Sequence, residues 1–488
     1  MYSRILLQVK SLENFKSMKR IIFSCLLAWV IGQLNAQPLA QRLDSLLFND
    51  PMMKTSEVGI TVFDLTTGET LFQYQDDKLY RPASTEKVVT SVSALATLGT
   101  DYTMDTRLKY TGKIENDTLK GNLYLIGGFD PEFMDEDLDS LVDVIAQSGI
   151  RYIADTLAAD VSMKDSVYWG VGWSWDDVPA SFQPYMSPLM LNRGCVDVTV
   201  IPTQKDSLPQ VICVPASDYY QVDNDGVSNN SQAGRLQITR NWLHNGNLIH
   251  ISGNVIKKTT STLSIYNSNE FFFQTFVNRL KAKGIGFHQA AFADCPENDS
   301  LTVVTPLFTL ERPIGEVLTQ MMKESDNLCA ESMFYHMAMN HTKQKRVSDN
   351  DGSDAINHFI KESLGLNPEY YNIVDGSGVS LYNYISPQLL LAYLKYAYYH
   401  AEIFQPFYEA LPIAGVDGTL KSRMKKGKAF NNVHAKTGTV TGVSSLAGYA
   451  KAPNGHQLAF AIINQNVMKS RQARTFQDKV CEILCTSK

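Results

Sequence analysis

Arg81-Pro82-Ala83-Ser84-Thr85-Glu86-Lys87-Val88-Val89-Thr90 is the stretch around which this chain is organised. From there to Leu98 the sequence is rich in Val, Ala and Leu. Val88, Val92, Leu95 and Ala96 fall at helical spacing, and Gly99 supplies a stop. The pattern predicts a buried helix whose first turn carries Ser84 and Lys87. Residues three apart share a helix face, so the hydroxyl and the amine can meet. A serine hydroxyl becomes a nucleophile when a neighbouring base takes its proton. A lysine is such a base once burial or a nearby positive charge lowers its pKa. The helix N-terminus adds backbone N–H groups for an oxyanion beside Ser84. Ser-x-x-Lys alone is common by chance, so its weight depends on partners elsewhere.

Two triplets supply those partners. Ser325-Asp326-Asn327 falls in a break between helical patterns at Pro313 to Met322 and Leu328 to Met339, and Lys436-Thr437-Gly438 opens a strand. Ser-x-x-Lys, Ser-Asp-Asn and Lys-Thr-Gly in this order form the motif set of penicillin-binding proteins and β-lactamases. The chemistry explains the set. Ser84 attacks an amide carbonyl and Lys87 takes its proton. Ser325 relays that proton to the leaving nitrogen, while Asn327 bonds the substrate backbone and holds Lys87. Lys436 binds a carboxylate and helps keep Lys87 neutral through like-charge repulsion. Gly438 lets the substrate lie close to the strand, with the Thr437 and Thr439 hydroxyls as neighbouring donors. The backbone N–H of Thr439, with that of Ser84, forms an oxyanion hole.

The chain resembles the D-alanyl-D-alanine carboxypeptidase/endopeptidases among the class C low-molecular-mass penicillin-binding proteins. Seven motifs carry the likeness: Pro82-Ala83-Ser84-x-x-Lys87, Gly127-Gly128-Phe129-Asp130-Pro131, Trp173-Ser174-Trp175-Asp176-Asp177, Ser325-Asp326-Asn327-Leu328, Asp375-Gly376-Ser377-Gly378, Asp417-Gly418-Thr419-Leu420 and Ala435-Lys436-Thr437-Gly438-Thr439. The resemblance covers nearly the whole mature chain. It implies an α/β (α+β) multidomain fold, with a transpeptidase-like domain (an antiparallel sheet with helices on both faces) carrying a large β-rich insertion. It also implies a penicillin-binding serine D-Ala-D-Ala carboxypeptidase or D,D-endopeptidase acting on peptidoglycan stem peptides. The family's long insertion between the first two motifs fits the 241 residues from Ser84 to Ser325. The expected division is a catalytic domain of 37–99 and 306–488, an inserted domain of 100–187 and 292–305, and a nested β-rich domain of 188–291. Asp176 or Asp177 would grip the amino group of a diaminopimelate side chain; the plainer reading is a solvated loop carboxylate. Two departures stand out: Thr85 follows the serine where the family usually has Asn, and Leu381 stands where it often has Arg. The first should be silent, and the second puts in doubt any cleft contact ascribed to that Arg.

Composition sets bounds on other readings. At 488 residues, two or three domains are expected, and 44% hydrophobic with 19% charged residues describes a folded globular chain. A net charge of −6 gives no basic footprint for nucleic acid. Lys19-Arg20 before the apolar run Ile21 to Ile31 reads as a signal peptide over 18–36, with residues 1–17 an upstream extension. Cleavage after Ala36 would place the protein in the periplasm with no firm membrane anchor; the alternative is an uncleaved anchor helix. Six cysteines then remain. Cys195 and Cys213, in neighbouring expected strands, are the best disulfide pair, whereas Cys481 and Cys485 lie one helical turn apart, where bridging is awkward. The histidines are scattered and no Cys-x-x-Cys or His-Glu-x-x-His occurs, so neither a metal nor another cofactor is expected.

The remaining pattern is consistent with this division. Gly59 to Phe63 and Thr70 to Tyr74 form a hairpin about Thr67-Gly68, and Ser445 to Ala450 with Leu458 to Ile463 another over Pro453-Asn454-Gly455. From Thr100 to Thr305 the texture is of short strands, with Asn116-Asp117 and Asn245-Gly246 as turns. Asp375 and Ser377 suit a tight turn near the cleft, and Glu86 suits the helix N-terminus electrostatically. A β-lactamase would need a deacylating base. Glu362 precedes a Leu-Asn pair, but at a spacing one residue too long, and the 241-residue gap excludes a compact lactamase. A non-catalytic wall-binding or penicillin-sensing protein on the same fold is the third reading.

Overall fold

In the computed structural model, which describes residues 38–297, 299 and 301–487, the two ends of the chain build one sheet. Its strands run in the order His434–Val440, Gly442–Lys451, Gln457–Val467, Glu57–Asp64 and Glu69–Tyr74, every neighbour antiparallel. Strand Gln457–Val467 is buried on both faces, which explains its unbroken apolar run. Phe460 and Ile462 pack with Phe476, Val480 and Leu484 of helix Ser470–Leu484 and Leu43 of helix Leu39–Asn49. Ala459, Ala461 and Ile463 face the opposite layer, where Val88 and Val92 meet Met321, Phe334, Leu390 and Tyr393. Helices therefore cover both faces, as the fold class requires. Lys19-Arg20, the apolar run after it and the Ala36 cleavage point lie outside the described residues.

The insertion leaves and re-enters this body side by side. Strand Thr103–Thr111 pairs antiparallel with Val304–Pro313, Met104 opposite Arg312. They belong to a seven-stranded mixed sheet that also takes Leu123–Ile126, Tyr152–Asp160 and Gly286–Phe292. The division drawn at 305/306 thus falls inside a strand of the inserted sheet. Asn116 and Asp117 (φ 49° and 62°) turn a small hairpin at the end of this sheet, beside Tyr152–Asp160. Two three-stranded sheets complete the insertion: Gln221–Ser228, Leu248–Val255 and Gln237–Arg240 form one, Thr259–Ser264, Cys195–Ile201 and Gln210–Val214 the other.

The insertion is less purely β than its turn texture suggests. Helix Asp135–Gln147 buries Leu138, Leu141, Val142 and Ile145, and helix Ser268–Ala282 buries Phe271, Phe272, Phe273 and Phe276. The first has a regular helical stripe; in the second, three consecutive phenylalanines hide the helical period. The expected Cys195–Cys213 bridge is absent, and both thiols are free. Cys213 opposes Val198, so Cys195 lies three residues along the neighbouring strand and on its other face.

The seam between insertion and body explains the Gly127-Gly128-Phe129-Asp130 motif. A Cβ on Gly128 would lie 1.9 Å from the Asp105 carbonyl. The Gly128 and Phe129 carbonyls accept from His336 and Ser332 of helix Asn327–Thr342. Buried Asp130 pairs with Arg312 at 3.2 Å, and Arg312 also reaches Asp137 at 2.9 Å. The insertion is thereby locked to the helix that begins at Asn327.

Candidate active site

Ser84 sits in a single 3₁₀ turn, Ala83–Thr85, that feeds helix Glu86–Leu98. Ala83 is held at φ 49°. The neighbours of this turn show why it stays: a Cβ on Gly378 would lie 2.0 Å from the Ala83 carbonyl. A Cβ on Gly438 would lie 2.1 Å from Ser445 Oγ and 2.9 Å from the Ser84 nitrogen. Gly438 thus admits the nucleophile's own turn, a closer constraint than the substrate approach expected of it. Thr85 points away from Lys87 but is not silent, because its hydroxyl donates to the Pro82 carbonyl at 2.8 Å and bonds Ser445 at 3.1 Å.

Lys87 is fully buried. Its Nζ donates to Ser84 Oγ at 3.1 Å, Asn327 Oδ1 at 2.7 Å and the Ser377 carbonyl at 2.7 Å. Burial pulls its pKa down to about 8, against the opposing pull of Asp375 and Glu331. A neutral Lys87 keeps two hydrogens for the Asn327 and Ser377 oxygens and turns its lone pair to the Ser84 hydroxyl, which then donates to it, the geometry a base for Ser84 needs. Lys436, also fully buried, bonds Ser325 Oγ at 2.8 Å and the Thr437 carbonyl at 2.8 Å. Burial first, and then Lys87, holds its pKa well below the usual lysine range. Two ammonium groups this close repel, and the repulsion falls on Lys436. The expectation that Lys436 reaches out to a carboxylate meets this burial: its amine already bonds Ser325 and the Thr437 carbonyl.

Ser325 itself takes φ 62°, which turns the chain from helix Ile314–Lys323 into helix Asn327–Thr342. Asp326 caps the second helix by accepting from the Cys329 N–H at 3.0 Å. Asn327 holds Lys87 with its oxygen and donates Nδ2 to the Phe182 carbonyl at 2.7 Å. One of the two amide hydrogens is therefore used by the insertion, and the other is left for substrate. A cleft of about 300 Å³ opens beside these groups, lined by Ser181, Phe182, Ser325 and Asn327.

Strand His434–Val440 is an edge of the sheet, so it presents unpaired backbone groups on its outer side. Thr437 is half-buried and donates its hydroxyl to Thr419 at 2.8 Å, while Thr439 is exposed. Asp417, preceding that threonine's turn, anchors Lys323 at 2.6 Å.

Three carboxyls behind Lys87 were not read as a group in the sequence. Asp375 accepts from the N–H groups of Gly378 and Ser380, from Asn383 and, at 2.9 Å, from the indole of Trp173. Glu331 accepts from the Gly376 and Ser377 N–H groups, and burial pushes its pKa up to about 8. Glu86 is fully buried and neither oxygen has a partner among the described residues. Burial keeps it protonated, so it brings no charge to the helix N-terminus as the sequence suggested.

Asp176 and Asp177 lie on the exposed turn after Trp173, and no cation pairs with either among the described residues. Burial and Asp176 raise the Asp177 pKa. Their loop reaches the site through the Trp173–Asp375 bond. Leu381 meets the same loop only by its backbone, donating to the Gly172 carbonyl at 3.2 Å. Glu362 is exposed and ends its helix beside Lys361, outside this constellation. No helix among the described residues is long and apolar enough to cross a membrane.

Residues 39–486 match the D-Ala-D-Ala carboxypeptidase 3 (S13) family. The D-alanyl-D-alanine carboxypeptidase DacB of Haemophilus influenzae is 28% identical over 83% of this chain and 84% of that protein. A D-alanyl-D-alanine carboxypeptidase of Actinomadura sp. is 28% identical over 87% and 80%. The crystal structure of penicillin binding protein 4 (dacB) from Haemophilus influenzae superposes with a TM-score of 0.78 at 25% identity, covering 90% of this chain and 98% of that one.

Proposed function

The chain belongs to the D-Ala-D-Ala carboxypeptidase 3 (S13) family, and from that premise we propose that it is a serine-type D-Ala-D-Ala carboxypeptidase that works through an acyl-enzyme on Ser84. One observation carries the reading: a buried lysine joins Ser84 to Asn327 while a second buried lysine holds Ser325. Lys87 takes the Ser84 proton as Oγ attacks the carbonyl of the penultimate D-Ala. The Ser84 and Thr439 N–H groups receive the oxyanion. Ser325, held by Lys436, relays that proton from Lys87 to the departing D-Ala nitrogen, so that the C–N bond breaks and Lys87 is neutral again. Water then attacks the ester, with Lys87 again as base, and free Ser84 returns.

The substrate lies along the outer edge of strand His434–Val440 as an added strand. Thr437 and Thr439 meet its terminal carboxylate, and Asp176 or Asp177 meets an amine on the stem peptide. A β-lactam presents a strained amide and a carboxylate to the same groups and acylates Ser84. The same acyl-enzyme serves D,D-endopeptidase action when the leaving nitrogen belongs to a cross-linked peptide. The natural partner is then the stem peptide of peptidoglycan, met in the periplasm after removal of residues 1–36.

Release of D-Ala from a peptide ending in D-Ala-D-Ala tests the reading. The purified mature chain should release it, and Ser84→Ala should not. No release by wild type, together with intact penicillin acylation, would favour a penicillin sensor.

A further inference from the structure

We propose that the tryptophan-lined pocket beside the cleft is a saccharide subsite, which takes an N-acetylated sugar ring of the glycan that carries the stem peptide; this rests on the peptidoglycan reading above. The pocket, of about 360 Å³, lies between the Trp169–Gln183 loop and the turn Trp242–Asn245. Its volume is that of a small-molecule site. Four of the chain's five tryptophans line it: Trp169, Trp173, Trp175 and Trp242. The Trp175 and Trp242 rings stand 5.5 Å apart at 37°, and Trp175 is 70% exposed. Leu243 beside them is 67% exposed. A contiguous aromatic surface left open to water marks a binding face.

The polar chemistry narrows the ligand. Gln183 is 2% exposed and donates Nε2 to the Ser174 carbonyl at 2.8 Å. Its Oε1 has no hydrogen-bond partner among the described residues. A buried acceptor left open is costly, and a ligand N–H or O–H placed there would relieve it. The Asn245 side chain at the rim likewise makes no hydrogen bond among the described residues. A flat aliphatic face against indole, with an amide or hydroxyl donor at its edge, describes a pyranose carrying an acetamido group. An alkyl chain would leave Gln183 unpaired, and an ammonium would prefer a carboxylate to this neutral acceptor.

Position ties the pocket to the chemistry. Gln183 follows Phe182, whose carbonyl binds Asn327, and Trp173 is bonded to Asp375 in the loop whose Ser377 carbonyl binds Lys87. A ligand here is continuous with one in the cleft.

The test compares a free stem pentapeptide with the same peptide on its N-acetylglucosaminyl-N-acetylmuramyl disaccharide. Wild type should show a higher kcat/KM on the disaccharide form, by roughly tenfold, the scale of one well-packed aromatic contact. Trp242→Ala should reduce that ratio towards one through KM, with the free peptide turned over as before. In wild type alone, N,N′-diacetylchitobiose should compete with the disaccharide substrate and not with the free peptide. A ratio of one in wild type, or an equal loss on both substrates in Trp242→Ala, would overturn the proposal. Failure to cleave either substrate would instead overturn the carboxypeptidase reading.

Discussion

The two walls of the cleft use their polar atoms in opposite ways. On the body side, Lys87 bonds Ser84 and Asn327 while Lys436 bonds Ser325, all between 2.7 and 3.1 Å, and both lysines are fully buried. On the insertion side, Asp176, Asp177 and Gln183 Oε1 carry no partner among the described residues, and Trp175 stands open. Groups already satisfied are placed for proton transfer, where a small displacement is costly. Groups left unsatisfied are placed to meet something that arrives. In the proposed function the first wall carries the chemistry and, at Thr437 and Thr439, the carboxylate, while the second recognises the rest of the substrate, and substitutions should separate along that line.

Lys87→Arg should have the largest effect. Arginine keeps the charge but does not surrender a proton near neutral pH, so penicillin acylation should fall by about 10²- to 10⁴-fold while circular dichroism is unchanged. Wild-type acylation should rise with pH and level off above about pH 8, because the depressed Lys87 must be neutral to act. A profile flat between pH 6 and 9 would remove Lys87 as the base.

Lys436→Gln comes next. Losing the bond that holds Ser325 costs roughly 1–3 kcal/mol when the hydroxyl is left unpaired, or about 5- to 150-fold in rate. The buried amine predicts the same loss on a free-acid peptide and on its C-terminal amide. A loss confined to the free acid would give Lys436 the carboxylate after all and move it to the recognising wall.

A smaller, substrate-dependent change is expected on that wall. Asp177→Asn should lower kcat/KM for a diaminopimelate-containing peptide by about three- to fivefold, as an exposed charge pair is worth up to ~1 kcal/mol. Its penicillin acylation rate, measured by stopped flow, should match wild type. An equal fall in acylation would join Asp177 to the chemistry.

Glu86→Gln should change least. The carboxyl is buried and protonated, so an uncharged isostere should keep Tm and acylation within error. A large loss would show that Glu86 is ionised or relays a proton.

The body was far more legible in the sequence than the insertion, and the reason is physical. Ser84, Lys87, Ser325 and Lys436 fall within three short motifs because helix pitch, a loop between helices and a strand edge each fix residues locally. The packing role of Gly438 was not visible in the sequence because the clash it avoids, with the Ser84 turn, is made by a segment 354 residues away (84 to 438). Glu331 and the orphaned Glu86 were illegible for the same reason: burial from several elements decides their charge. In the insertion, helix Ser268–Ala282 was masked by its phenylalanine run. The pocket combines a loop near Trp173 with a turn near Trp242 that no local pattern relates.

The most direct test of the two-wall account is to map the penicillin adduct. Protein labelled with a β-lactam is digested with trypsin, which does not cut between Arg81 and Pro82, so Ser84 lies in the peptide Leu79–Lys87. The account predicts one adduct, on Ser84, present in wild type and in Trp242→Ala and absent in Ser84→Ala. An adduct on another peptide, or one that survives in Ser84→Ala, would contradict it.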